Sequence, residues 1–162
     1  MTEIQHKFCK RMKEAIYWSH IKGAKFNDAV VFAQSALESR WGQSTLSSKY
    51  NNLFGIKAGS SWKGEIIELP TSEYSPTKGW YITTAKWRKY PSWQECLLDY
   101  YNIINSLWWY KDALKHLDNA DEFLKALLPA PGKPGWATDP DYFNKVKNIG
   151  KQIERAGYII WK

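Results

Sequence analysis

Sulfur, imidazole and long apolar runs are all scarce in this chain. Its 162 residues include two cysteines, Cys9 and Cys96, and three histidines, His6, His20 and His116. The cysteines lie too far apart in sequence for a disulfide framework or a zinc motif, and the histidines show no ligand spacing. Both cysteines read as reduced, and no metal or cofactor is expected. No run of about eighteen consecutive apolar residues occurs. The opening Met1-Thr2-Glu3-Ile4-Gln5-His6-Lys7-Phe8-Cys9-Lys10-Arg11 lacks the apolar stretch of a secretion signal. These absences predict a soluble product made in the cytoplasm, with no stable membrane insertion. Internal repeats and low-complexity tracts are missing too.

Aromatic residues and positive charge are plentiful. Ten tryptophans and ten tyrosines exceed what a core of this size needs, so many rings must reach the surface or a cleft, where flat rings suit sugar faces or bases. Lysine and arginine outnumber acidic residues 23 to 16, for a net charge of +7 and a pI of about 9.3. Nucleic acid, anionic membrane and bacterial cell wall are polyanionic partners that this balance suits. The basic residues are scattered, without a run of five or six or a helix-borne cluster, which argues against nucleic acid. The length fits one domain, residues 1–162, and a monomer is expected.

Apolar spacing predicts a first helix over 2–20, with Phe8, Met12, Ala15, Ile16 and Ser19 on one face and Gly23 just beyond it. A second helix over 26–41 aligns Phe26, Val30, Ala33 and Leu37 and closes at Gly42. Between 57 and 90 the character changes. Glu65-Ile66-Ile67-Glu68-Leu69 and Trp80-Tyr81-Ile82-Thr83-Thr84-Ala85 are rich in β-formers, with Ser75-Pro76-Thr77-Lys78-Gly79 as a turn between them, although Pro70 threatens the strand register. Helical pattern returns with a capping box at Ser92-Trp93-Gln94-Glu95, followed by Trp93, Leu97, Tyr100, Ile104 and Leu107. A further helix spans 119–128, a Pro/Gly loop covers 129–136, and Asp139 as N-cap with Pro140 at the first helical position opens the last helix. The plan is α+β, mostly helical, with a small β-lobe flanking a cleft.

Glu38 is the first candidate for chemistry. It lies beside the apolar line of the second helix, flanked by Gln34 and Trp41, in the last turn before a glycine stop. Partial desolvation and the negative end of the helix dipole both raise the pKa of a carboxyl placed there, and a carboxyl still protonated at neutral pH is a general acid. The competing reading, a solvated glutamate at the margin of an amphipathic helix, is answered by the rest of the chain.

Four segments in order resemble glycoside hydrolase family 73, the flagellar-rod-hydrolase and autolysin type of N-acetylglucosaminidase. Ala36-Leu37-Glu38-Ser39-Arg40-Trp41-Gly42 matches that family's A-L-E-S-x-W-G, and Tyr50-Asn51-Asn52-Leu53-Phe54-Gly55-Ile56-Lys57 resembles Y-N-L-F-G-I-K. Trp87-Arg88-Lys89-Tyr90 with Ser92, Glu95, Asp99 and Tyr100 is similar to F-R-x-Y-x-S-x-x-E-x-x-x-D-Y. Trp136-Ala137-Thr138-Asp139-Pro140-Asp141-Tyr142 resembles Y-A-T-D-P-x-Y. The resemblance implies a lysozyme-like fold and cleavage of the β-1,4 bond between N-acetylglucosamine and N-acetylmuramic acid in peptidoglycan, with Glu38 as general acid.

Glycoside hydrolysis commonly uses a second carboxylate as base or nucleophile, and an acetamido group of the substrate can replace it. The resemblance places that carboxylate in Thr71-Ser72-Glu73-Tyr74, so Glu73 ranks first and Glu68 is the reserve. Gln34, Trp41, Tyr50, Asn51, Tyr74, Trp136 and Tyr142 are candidates for substrate contact. For Asn51 a turn and a sugar contact stay open together, as do core packing and a hydroxyl contribution for Tyr142. Trp136 replaces the family's tyrosine, keeping a stacking surface but exchanging a phenol for an indole N–H. A lytic transglycosylase or muramidase on the same fold and a noncatalytic wall-binding module are the alternatives. With no secretion signal, no repeated wall-binding module and a bare catalytic domain, the chain looks like a phage or prophage endolysin that reaches the periplasm through a holin-type release partner, with a virion-associated wall-degrading protein as the alternative.

Overall fold

The structure, a computed structural model, describes residues 1–162. The first helix, α1 (Glu3–Ile21), opens on a complete capping box: the Thr2 hydroxyl accepts from the Gln5 N–H while the Gln5 side chain accepts from the Thr2 N–H. Phe8, Cys9, Met12, Ala15, Ile16 and Ser19 are its buried face. Helix α2 (Asp28–Glu38) starts at Asn27, whose side chain accepts from the Val30 N–H. Every residue from Ala29 to Ala36 is buried, so α2 is the central rod of the body and packs on α6 (Tyr142–Arg155) as well as on α1.

The short helix α3 (Thr45–Tyr50) leads to a hairpin of β1 (Ile66–Ser75) and β2 (Gly79–Arg88). The strands pair antiparallel from Ile66 with Arg88 to Ser75 with Gly79, and Pro70 stays in register opposite Thr84. A two-stranded ribbon tolerates this proline because each strand keeps one edge in solvent. Then come α4 (Trp93–Ser106), a 3-10 helix (Lys111–His116), α5 (Ala120–Ala126) and α6. The fold is mostly helical α+β, with 31 buried residues in one apolar cluster inside the helical body. No helix is long and apolar enough to cross a membrane.

Three local expectations need correction. Helix α2 stops at Glu38 rather than at residue 41, because Arg40, Trp41 and Gly42 all take positive φ, at 51°, 57° and 77°. Helix α6 begins at Tyr142, not after Asp139. The Asp139 carboxylate instead accepts from the Asp141 N–H at 2.9 Å, holding 139–141 in a turn before the helix. At α4, Ser92 caps the Glu95 N–H at 3.2 Å, but the Glu95 carboxylate pairs with Lys22 instead of returning to Ser92. That capping box is therefore half formed.

Candidate active site

Because α2 ends at Glu38, the carboxyl emerges where the central helix gives way to left-handed backbone. Two hollows meet at this residue. One, of about 620 Å³, runs along Leu37, Phe54, Gly55, Trp136, Thr138, Asp139, Tyr142 and Lys145. The other, of about 200 Å³, lies under the hairpin between Ser44, Thr45, Leu46, Asn52 and the strand residues Leu69, Pro70 and Trp87. Glu38 and Gly55 belong to both, so they mark the middle of a continuous cleft. Gly55 sits there at φ 65° with open space where a side chain would project. A glycine meets that conformation at no steric cost and leaves the floor clear.

Burial raises the Glu38 pKa, and the hydrogen bond donated by Tyr142 partly offsets the rise. The Tyr142 hydroxyl donates to Glu38 Oε1 at 2.8 Å. Behind it, Gln34 Nε2 donates to the Tyr142 oxygen at 3.2 Å, and the Tyr100 hydroxyl donates to Gln34 Oε1 at 2.6 Å. Gln34 and Tyr100 are fully enclosed. Each would cost about 1–3 kcal/mol if left unpaired there. A neutral, partly desolvated carboxyl with one oxygen held from behind can release its proton forward into the cleft.

The cleft wall is fastened to the body by a second polar cluster. Arg88 Nη1 donates to Asp99 Oδ2 at 2.8 Å, both side chains being almost buried, and the Tyr90 hydroxyl donates to the same oxygen. Asn52 Nδ2 donates to the carbonyls of Ile56 and Arg88, and its oxygen accepts from the Ile56 N–H. Together these contacts tie the base of β2 to α4 and to the loop that carries Gly55. Burial pushes the Cys9 thiol up to about 12 and moves Cys96 upward as well. Neither is a thiolate nucleophile at neutral pH.

A family profile described as glucosaminidase, mannosyl-glycoprotein endo-beta-N-acetylglucosaminidase, matches residues 15–155. This chain belongs to the glucosaminidase family. It is 34% identical over 132 residues to the peptidoglycan hydrolase FlgJ of Vibrio parahaemolyticus, covering 78% of this chain and 40% of that protein. It is also 34% identical over 131 residues to the exo-glucosaminidase LytG of Bacillus subtilis, covering 80% and 45%. The chain thus spans about two fifths of the length of these curated relatives. Its fold superposes on the catalytic domain of the autolysin Auto from Listeria monocytogenes with a TM-score of 0.79 at 30% identity, over 98% of this chain and 89% of that one.

Within this glucosaminidase fold, several candidate contact residues have other duties. Gln34 is sealed in the core, with its amide shared between two tyrosines, so it does not reach a ligand in the cleft. Tyr142 is 4% exposed and commits its hydroxyl to Glu38, combining the two readings left open from sequence. Asn51 adopts φ 57° as the C-cap of α3 and donates its amide to the Tyr90 carbonyl, which is the turn reading. Trp41 packs edge-on against Phe8, and the Tyr50 carbonyl accepts from the Tyr90 N–H; neither lines the two hollows. Trp136 does line the cleft, backed by Tyr100, Phe54 and Tyr110.

The hairpin separates its two acidic candidates, Glu73 and Glu68, by strand parity. Glu73 lies on the half-buried face it shares with Leu69, and its carboxylate is 3.7 Å from Lys57 Nζ. It stands four residues, or about 13 Å, along the strand from Leu69, outside both hollows around Glu38. Glu68 and Tyr74 are on the opposite, outward face. Glu68 there pairs with Lys86, and Tyr74 meets Trp80 across the strands. Residue-by-residue reading missed the role of Tyr100, which it placed only on the apolar face of α4. Its position in the third motif, after Asp99, was the available signal.

Proposed function

We propose that this chain is an endo-acting peptidoglycan N-acetylglucosaminidase in which Glu38 protonates the glycosidic oxygen. The observation that carries this reading is the protonation-favouring burial of Glu38 at the junction of two hollows, with Oε1 engaged by Tyr142 and Oε2 free of any protein partner. A cleft that continues to both sides of the acid accepts a glycan in mid-chain, which favours endo over exo cleavage. Trp136 offers a ring face to a sugar on the α6 side, while under the hairpin Trp87 offers a second ring and Leu69 an aliphatic surface beside it. The proposed catalytic unit is a single domain acting as a monomer on the wall, with the role of an endolysin released through a holin-type partner.

Glu73 is the proposed second carboxylate, reaching the sugar when the hairpin bends over a bound glycan; Glu68, on the outer face, is the reserve. Replacing Glu73 with Ala should lower turnover by roughly 10²-fold or more, while replacing Glu68 with Ala should leave it within about twofold. Near-normal turnover in the Glu73 variant would assign the second role to the substrate acetamido group. For the acid itself, Glu38→Gln should abolish release of reducing ends from purified walls without loss of wall binding. Retained hydrolysis would remove the assignment. Mass spectrometry separates the lytic transglycosylase alternative, since its anhydro products lack the added water.

A further inference from the structure

We propose that Tyr100 is a positioning residue that sets the direction of the hydrogen-bond chain through Gln34 and Tyr142, and thereby keeps the acid proton of Glu38 on Oε2. The inference rests on the reading of Glu38 as general acid. A phenol has one hydrogen to give, and burial holds both Tyr100 and Tyr142 far above the ordinary tyrosine range, so both stay protonated at working pH. The Tyr100 hydroxyl is enclosed, and its one partner is Gln34 Oε1 at 2.6 Å. That length suits O–H···O, whereas the 3.2 Å between Gln34 and Tyr142 suits an N–H donor. The amide thus points its oxygen at Tyr100 and its nitrogen at Tyr142. Tyr142, already accepting from Gln34, has its hydrogen committed to Glu38 Oε1.

Reversing the chain requires turning the Gln34 amide over. Its oxygen would then take the Tyr142 hydrogen, and Glu38 would direct its own proton at Tyr142, into the protein and away from the glycosidic bond. The same flip would place an NH₂ against Tyr100 and strand the Tyr100 hydrogen in a dry pocket without an acceptor, so Tyr100 opposes it. No other titrating neighbour is placed to do this. On the α6 side of the cleft, Lys145 and Asp139 pair with each other; the α3 and hairpin sides present Ser44, Thr45, Leu46, Leu69, Pro70 and Trp87. Tyr110, behind Tyr142, is itself raised by burial.

The test is the pH–rate profile on soluble glycan strands for the wild type, Tyr100→Phe, Tyr142→Phe and the double variant. Tyr100→Phe should reduce kcat by roughly tenfold with KM within about twofold. It should also move the alkaline limb to higher pH, because the reversed chain favours the protonated carboxyl. Tyr142→Phe should move that limb in the same direction, since it removes the donor that favours the carboxylate. The double variant should match Tyr142→Phe alone. An unmoved limb in Tyr100→Phe, or additive effects in the double variant, would overturn the proposal. Should Tyr100→Phe not fold, Gln34→Met removes the amide acceptor and leaves the Tyr142 hydrogen no partner but Glu38 Oε1, so the limb must not move to higher pH; an upward shift there contradicts the proposal equally. Glu38→Gln assayed alongside keeps the two readings apart. Activity in that variant removes Glu38 as acid, whereas inactivity with an unmoved limb in Tyr100→Phe removes only the role of Tyr100.

Discussion

Glu38 is held by two opposed influences, burial favouring its neutral form and the Tyr142 hydroxyl favouring its charged form, and burial is the larger. A carboxyl whose folded pKa lies above its unfolded value binds more protons in the native state, so its ionisation reduces stability as pH rises through that interval. The sign is opposite to that of an ordinary salt-bridged carboxylate. Glu38→Gln keeps an acceptor for Tyr142 and removes the charge. It should therefore raise Tm at neutral pH, with the gain shrinking as pH falls and vanishing below the ordinary glutamate value of 4.5. Calorimetry across pH checks this, and a variant less stable than wild type at pH 7 would contradict the desolvation account. Glu38 was legible in sequence because its neighbours on α2 reveal which side of the helix is apolar. The link between Tyr100 and Gln34 was not, since it joins residues 66 positions apart through packing that no local pattern encodes.

At the scale of elements, the apolar periodicity located α1, α2, α4, α5 and α6, and the β-rich segments located the hairpin. Two short elements, α3 and the 3-10 helix Lys111–His116, escaped it, and so did helix endings. A helical pattern runs on through Leu37 and Trp41, yet the three left-handed residues after Ser39 stop α2, and Ser39 Oγ accepts from the Gly42 N–H at 2.8 Å to hold the turn. That stop brings Glu38 to the cleft rather than leaving it along a helix side. At the other end of the body, Gly150 on α6 lies under Trp161, whose indole N–H donates to Asp121 and whose backbone N–H donates to Glu154. A Cβ at Gly150 would fall 2.2 Å from that ring. Gly150→Ala, which gains about 1 kcal/mol of helix propensity in open surroundings, should here destabilise by about 1–3 kcal/mol through overpacking. Urea denaturation gives the sign, and a stabilised variant would mean that Trp161 yields freely.

For the whole molecule, a helical body and a two-stranded flap enclose a cleft whose centre is one acid. Under the proposed function, the role of the net charge of +7 at this scale is to attract the protein to an anionic wall, outside the chemistry. Raising NaCl from about 0.05 M to 0.5 M shortens the screening length severalfold, from over 10 Å to a few ångströms. Wall binding and lysis should fall steeply over that range, while turnover of a short uncharged oligosaccharide should hardly change. Equal salt sensitivity for both substrates would place the charge effect inside the cleft instead.

The most direct measurement is reducing-end analysis, by mass spectrometry, of fragments released from purified peptidoglycan by the wild type and by Glu38→Gln. The account predicts hydrated N-acetylglucosamine ends from the wild type and none above background from the variant. Equal release by the variant, or anhydro-muramic ends from the wild type, would contradict it.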